Sequence, residues 1–356
     1  MDPFSFDITP SSALTEVFDA NTLFQTGAPN SRGSSIDQYL DNSNKLTKIY
    51  TNSPFREALT PELGAVLLLG HVSAVESYMR GIIRGLVYID EHAGNLAAPK
   101  QLSYFAALNH EPRLMPEALL ESISFSGAQN ISNALKEFCG ITGMGNGNIP
   151  NDLKPVFKKF NDICQLRHCC VHRFGLLGAG NAHKLKVEKN LIEMPLALTI
   201  DALEDISSIL EKLVLSINSY IYKDVLYRSF TKSNSIASED LERQYQKEWA
   251  RNPAEDEQRF GEYYYLFAVT SFMPASPNLQ DSYVEFQEWM NKTLENISRA
   301  KASTSKSRQQ PPSLAPSPSA HVPFRSPTTQ PATTLETQDI YERGIFGWLK
   351  RLFANN

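Results

Sequence analysis

Three side chains able to handle a phosphate sit within six residues, Arg167-His168-Cys169-Cys170-Val171-His172. Around them the segment Phe160 to Phe174 has helical periodicity. At about 100° per residue, Phe160, Ile163, Leu166, Cys170, Val171 and Phe174 fall on one apolar arc, and Arg167 falls inside it. A guanidinium keeps its charge in a protein, so an arginine on such an arc needs a carboxylate, a phosphate or an interface. His168 and His172 are four apart and stack one turn from each other on a neighbouring face. A permanent cation beside imidazoles that titrate near neutrality is a kit for phosphate-ester chemistry. Two other readings use the same residues. Arg167 and His172 can serve as a structural ion pair and a core histidine at a helix C-terminus. Cys164, His168 and His172 also recur every four residues, with Cys169 near, a pattern able to hold a transition metal. No fourth ligand is evident, so the expectation is no metal and no cofactor.

Bulk composition narrows the setting. The 356 residues carry 34 Lys and Arg against 39 Asp and Glu, a net charge of −5, with 42% hydrophobic and 21% charged residues. That is enough apolar material for about two folded units, and it excludes a disordered chain, a disulfide miniprotein and a globally basic nucleic-acid binder. The charge is unevenly spread. Eight cations, Lys158, Lys159 and Arg173 among them, face three acids between residues 151 and 190. A basic patch around the motif is what binding a phosphate backbone requires. The four cysteines form no CxxC pair and three lie within seven residues, which suits reduced thiols on a helix and a reducing compartment. The acidic start, Met1-Asp2-Pro3-Phe4, has no secretory character, and the most apolar stretch, Gly64 to Gly70, is too short to span a membrane.

The elements that must position the motif read as helices. Residues 1–60 read as a polar arm with short helical turns. Thr60-Pro61-Glu62 starts a long helix whose apolar spacing persists to about Tyr88. Shorter helical patterns lie near Met115–Phe125 and Ala128–Phe138. Gly143 to Gly147 is a flexible loop at the mouth of the cleft, without the Lys-Ser/Thr of a P-loop. The motif helix follows and stops at Gly175, and a loop or small hairpin occupies 176–195. An amphipathic helix from Ile200 buries Leu203, Ile206, Leu210, Leu213, Val214, Ile217 and Ile221. The fold class is all-α, an up-and-down helical bundle over 61–230, with a helical extension over 231–300. In the extension, Tyr263 to Tyr265 reads as core, with base stacking as the other use of such residues. Residues 301–338 hold seven prolines and no acid before Glu336, the composition of a disordered linker.

The motif and its context resemble the HEPN superfamily. Arg167 followed after four residues by His172, with polar His168 directly after the arginine, matches that family's ribonuclease signature. The preceding helix carries Ala74-Val75-Glu76-Ser77-Tyr78, and an amphipathic helix follows. The likeness covers roughly 61–228 and is nearest to the RiboL-PSP-like branch. It implies a metal-independent endoribonuclease, a hydrolase that acts as a homodimer whose motif helices meet across a cleft. His172 would take the proton from the ribose 2′-OH, Arg167 would stabilise the phosphorane, and His168 would orient the phosphate or act as an acid. Glu76 would pair with Arg167 and hold its fork. RNA-binding cations would be Lys158, Lys159 and Arg173. Such enzymes serve as toxins or in antiviral defence. The alternative is a non-catalytic HEPN adaptor that binds a protein or nucleotide partner, with the tail as its address; a protein regulator is a further expected partner.

Residues 339–356 read as a short cationic amphipathic helix. Ile345, Phe346, Leu349, Leu352 and Phe353 share one face with Trp348 at its boundary, opposite Arg343, Lys350 and Arg351. Leu349-Lys350-Arg351-Leu352-Phe353 resembles the membrane-targeting helix of MinD-type ATPases. It reads as a membrane- or partner-docking tail on a cytoplasmic protein, held peripherally on the inner face of the membrane.

Overall fold

The computed structural model describes residues 18–24, 33–52, 59–102, 104–109, 115–230 and 249–307. Among these residues there are helices and no strands; only two isolated bridges occur. The elements are α1 (Ser35–Thr51), α2 (Pro61–Ile89), α3 (Glu91–Ala97), α4 (Tyr104–Asn109), α5 (Met115–Leu120), α6 (Ala128–Cys139), α7 (Lys154–Arg173), α8 (Ala179–Leu185), α9 (Ile200–Phe230), α10 (Pro253–Phe267) and α11 (Leu279–Ser307).

α2 is the central helix. The Thr60 hydroxyl accepts from the Leu63 N–H and Pro61 occupies the first turn, as the sequence predicts. By length and composition α2 could cross a membrane. Its apolar side chains from Leu67 to Leu86 instead form the middle of the core, against α1, α6, α7 and α9. All seven residues of the stripe predicted for α9 are buried.

Three expectations are corrected. The first 60 residues are not one polar arm: α1 is a 17-residue helix packed on α2 and α9. Ser34 caps it, and Asp37 is buried and accepts from the Thr270 and Ser271 N–H groups and the Thr270 hydroxyl. Nor is 231–300 a separate extension. The described residues up to Arg299 form one compact unit, with Tyr263, Tyr264, Phe267, Tyr283, Phe286 and Met290 in the same core as α2 and α9. Finally, α11 continues to Ser307, into the stretch expected to be linker. The remainder of that linker and all of the tail, including Ile345, Phe346, Trp348, Leu349, Leu352 and Phe353, lie outside the described residues.

The glycine-rich segment is an ordered turn. Asn146 and Gly147 both have positive φ, 52° and 83°, and the Asn148 N–H donates to the Gly145 carbonyl at 2.9 Å. This is the type I′ geometry that Asn-Gly favours. The Ser132 hydroxyl clamps it, accepting from the Gly145 N–H and donating to the Asn148 carbonyl. The turn precedes the start of α7, about 27 Å along the helix from His172, so it does not border the histidines.

Candidate phosphate-handling site on α7

Pro155 stands in the first turn of α7, and Phe174, in the left-handed conformation at φ 50°, ends it with Gly175 beyond at φ 90°. The Gly175 N–H donates back to the Cys169 carbonyl. The chain then forms a narrow ladder. Leu176 bridges Pro195, Leu177 donates to Met194 and accepts from Glu193, and Leu196 donates to Gly175. This agrees with the expected hairpin, with α8 and a 3-10 turn (Lys189–Leu191) inserted at its tip.

The apolar arc on α7 is covered only in part. Phe160, Ile163 and Cys170 are buried and Leu166 is half-buried. Val171 and Phe174, on the same side by helical angle, are exposed to 45% and 87%. The core stops beneath the last two turns while the apolar stripe continues. Arg167 is half-buried and stands where the stripe passes from covered to uncovered.

His168 and His172 are exposed, with ring centroids 4.4 Å apart and planes tilted by 48°. The His168 pKa lies below its ordinary value, through desolvation first and then the charges of His172, Lys184 and Arg167. An imidazole so placed is neutral at pH 7 and able to accept a proton or donate one N–H bond. Lys184 is the residue that sequence reading did not assign to the site. It sits on α8, which Asn181 fastens to α7 by donating to the carbonyl and side-chain oxygens of Gln165. Only the fold brings α8 beside His168.

The supporting residues divide. Glu76 on α2 and Arg167 on α7 both lie near Cys164, but no ion pair joins the carboxylate to the guanidinium. Among the described residues neither has a hydrogen-bond or ion-pair partner. Arg173 has a partner within the chain: its Nη2 donates to both Glu193 carboxylate oxygens at 2.7 and 2.9 Å, tying α7 to the hairpin. Lys158 and Lys159 are exposed and, among the described residues, unpaired, but stand about 21 and 20 Å along α7 from His172. They extend a basic track and do not join the histidines.

The cysteines take no part. All four are free and buried. Burial pushes the Cys164 thiol up to about 12, so it stays protonated at neutral pH. Among the described residues no three His, Cys, Asp or Glu side chains are grouped to hold a metal ion. Comparison of the chain with models of protein families, with curated proteins and with solved structures finds no match.

Proposed function

We propose that the chain is an endoribonuclease of the HEPN type, acting as a homodimer on RNA with no metal in the catalytic step. The observation that supports this reading is the cluster of unpaired donors at the end of α7. His172 stacks on His168, Lys184 and Arg167 lie within electrostatic range of His168, and no carboxylate of the described residues is paired with any of the four. An anion from outside is the missing partner, and a phosphodiester supplies it.

In this reading His172 takes the proton from the ribose 2′-OH. The 2′-oxygen forms a bond to the adjacent phosphorus and the bond to the 5′-oxygen breaks. Arg167 holds the negative charge that builds on the equatorial oxygens, where a half-buried guanidinium acts more strongly than one in water. Neutral His168 suits orientation of the phosphate by N–H donation better than the role of acid, so the departing 5′-oxygen takes its proton from water. The products are a 2′,3′-cyclic phosphate and a 5′-hydroxyl. A second copy meeting the first at the ends of α7 would close the cleft. The tail from residue 339 would hold such an enzyme on the inner face of a membrane, as a defence effector or toxin.

The test is labelled single-stranded RNA in EDTA, with wild type, His172→Ala and Arg167→Ala side by side. Cleavage should fall about 10²–10⁴-fold in each variant, and a 2′-deoxy residue at the cleaved position should abolish it. RNA left equally intact by wild type and both variants, at concentrations where the dimer forms, would overturn the enzyme reading. The uncovered stripe of Val171 and Phe174 favours the second reading, a non-catalytic HEPN adaptor, for which the same surface is a binding face.

A further inference from the structure

The ring of Phe174 is almost wholly exposed, yet its backbone is fixed on both sides. The Phe174 and Gly175 N–H groups both donate to the Cys169 carbonyl. Before the ring, Arg173 is bound to both carboxylate oxygens of Glu193. After it, the Gly175 carbonyl accepts from the Leu196 N–H. The left-handed backbone at φ 50° favours glycine over a bulky side chain. A large ring held on a fixed, strained position and left in solvent does little for the fold, and such outliers gather at functional sites.

Helical register settles what lies beside the ring. Arg167, Val171 and Phe174 follow one another at i, i+4 and i+7, so they form one line along α7, about 10.5 Å long. Arg167, half-buried and without a partner among the described residues, is at one end. Val171 is exposed in the middle and the ring is at the other end. His168 and His172 stack on the neighbouring face. An aromatic ring in line with an unpaired cation is the pattern of a single-strand surface, where the phosphates take the charge and the bases take the ring. The apolar area points the same way. A stable protein interface buries about 800 Å² on each partner, whereas one aromatic side chain supplies about 150–250 Å². One ring matches one base.

We propose that Phe174 is the stacking platform of the site. An unpaired nucleobase of single-stranded RNA lies flat on its ring, and Val171 floors the path back to the phosphate held at Arg167. The platform makes an unpaired strand the substrate class, because the bases of a duplex are already stacked on one another. That the strand is RNA and is cut rests on the ribonuclease reading, whereas the stacking of a base on the ring does not.

Fluorescence anisotropy of labelled oligonucleotides on the full chain tests the platform. His172→Ala is the background, so that the strand stays intact. Two ligands of equal length and charge are compared, an oligoadenylate and an abasic ribose-phosphate chain. Phe174→Leu keeps the apolar bulk and removes the π-face, and Phe174→Trp enlarges that face. Oligoadenylate binding should fall about tenfold in Phe174→Leu and hold or tighten in Phe174→Trp. The abasic chain should bind all three proteins alike. In Phe174→Trp, oligoadenylate should quench the added indole fluorescence, read as the difference from the background chain with its three native tryptophans. The abasic chain should leave that fluorescence unchanged. Equal oligoadenylate binding by all three proteins would leave the ring to a protein partner and overturn the proposal. An equal loss on both ligands would overturn it too, as would a dimer that Phe174→Leu dissociates in sedimentation, since the ring would then face a second copy. Quenching by oligoadenylate in a protein whose wild type does not cleave RNA sustains the platform and removes the ribonuclease. Cleavage by wild type, with oligoadenylate bound equally by Phe174→Leu and its background, removes the platform alone.

Discussion

Two arginines, Arg228 and Arg167, are drawn part-way into the same unit, and the protein treats them in opposite ways. Arg228 has a side chain 17% exposed and is bound to the buried carboxylate of Asp90 at 2.6 Å and to the Cys139 carbonyl. Asp90 in turn accepts from the Tyr263 hydroxyl at 3.1 Å and from the Ala93 N–H at 2.8 Å. One hub thus joins the ends of α2, α6 and α9 to α10. Arg167 has no such return, although Glu76 is within electrostatic range of the same thiol. A cation that serves the fold is held by acceptors from the chain at both terminal nitrogens, although the buried Arg228 Nε has no partner among the described residues. One that is left short of them is available to an anion that the chain does not contain.

The largest effect that sharpens this contrast belongs to the hub. Asp90→Ala leaves the Arg228 charge buried without its partner and should cost about 3–5 kcal/mol in urea denaturation. A loss under about 1 kcal/mol would put Arg228 in the same class as Arg167. The two kinds of histidine give the next effect. His71 is fully buried beside Tyr50, and burial lowers its pKa to about 4. Its folded pKa is thus below the unfolded value, so the unfolded chain binds the extra proton between about pH 6.5 and 4. Stability should be full above pH 6.5 and decline by about 3 kcal/mol as the pH falls to 4. Denaturation curves of His71→Gln should lack that part of the decline, whereas His168→Gln should keep it.

What the sequence reveals and what it hides follow from range. The start of α2 and the stripe of α9 depend on neighbours in the chain, and both are legible. α1 is not, because its buried side includes Ser35, Asp37 and Ser43, and Asp37 finds its partners on residues 270 and 271. Periodicity also marks which side of α7 faces inward but not where the core ends. For that reason Val171 and Phe174 read as core and prove exposed. In the site, the His168–His172 stack follows from spacing alone. The approach of Lys184 and the capture of Arg173 by Glu193 depend on the hairpin fold. Glu76 faces the right neighbourhood, yet helical register cannot tell a near carboxylate from a bonded one.

The two smallest effects are the sharpest tests of the uncovered end of α7. Phe174 holds a left-handed backbone, which disfavours a side chain with a Cβ by about 1 kcal/mol, and its ring is 87% exposed. Phe174→Gly should leave the fold as stable or stabilise it by about 0.5–1 kcal/mol, while binding at the face weakens. A loss of stability would assign the ring a packing role. Arg167→Met keeps the length of the side chain and removes only the charge. With no acceptor to orphan, it should change the unfolding free energy by less than about 0.5 kcal/mol. A loss as large as that of Asp90→Ala would mean that Arg167 is held from within, and the contrast between the two arginines would collapse. A silent Arg167→Met in denaturation, with RNA cleavage abolished, would instead separate the residue's chemistry from the fold that carries it.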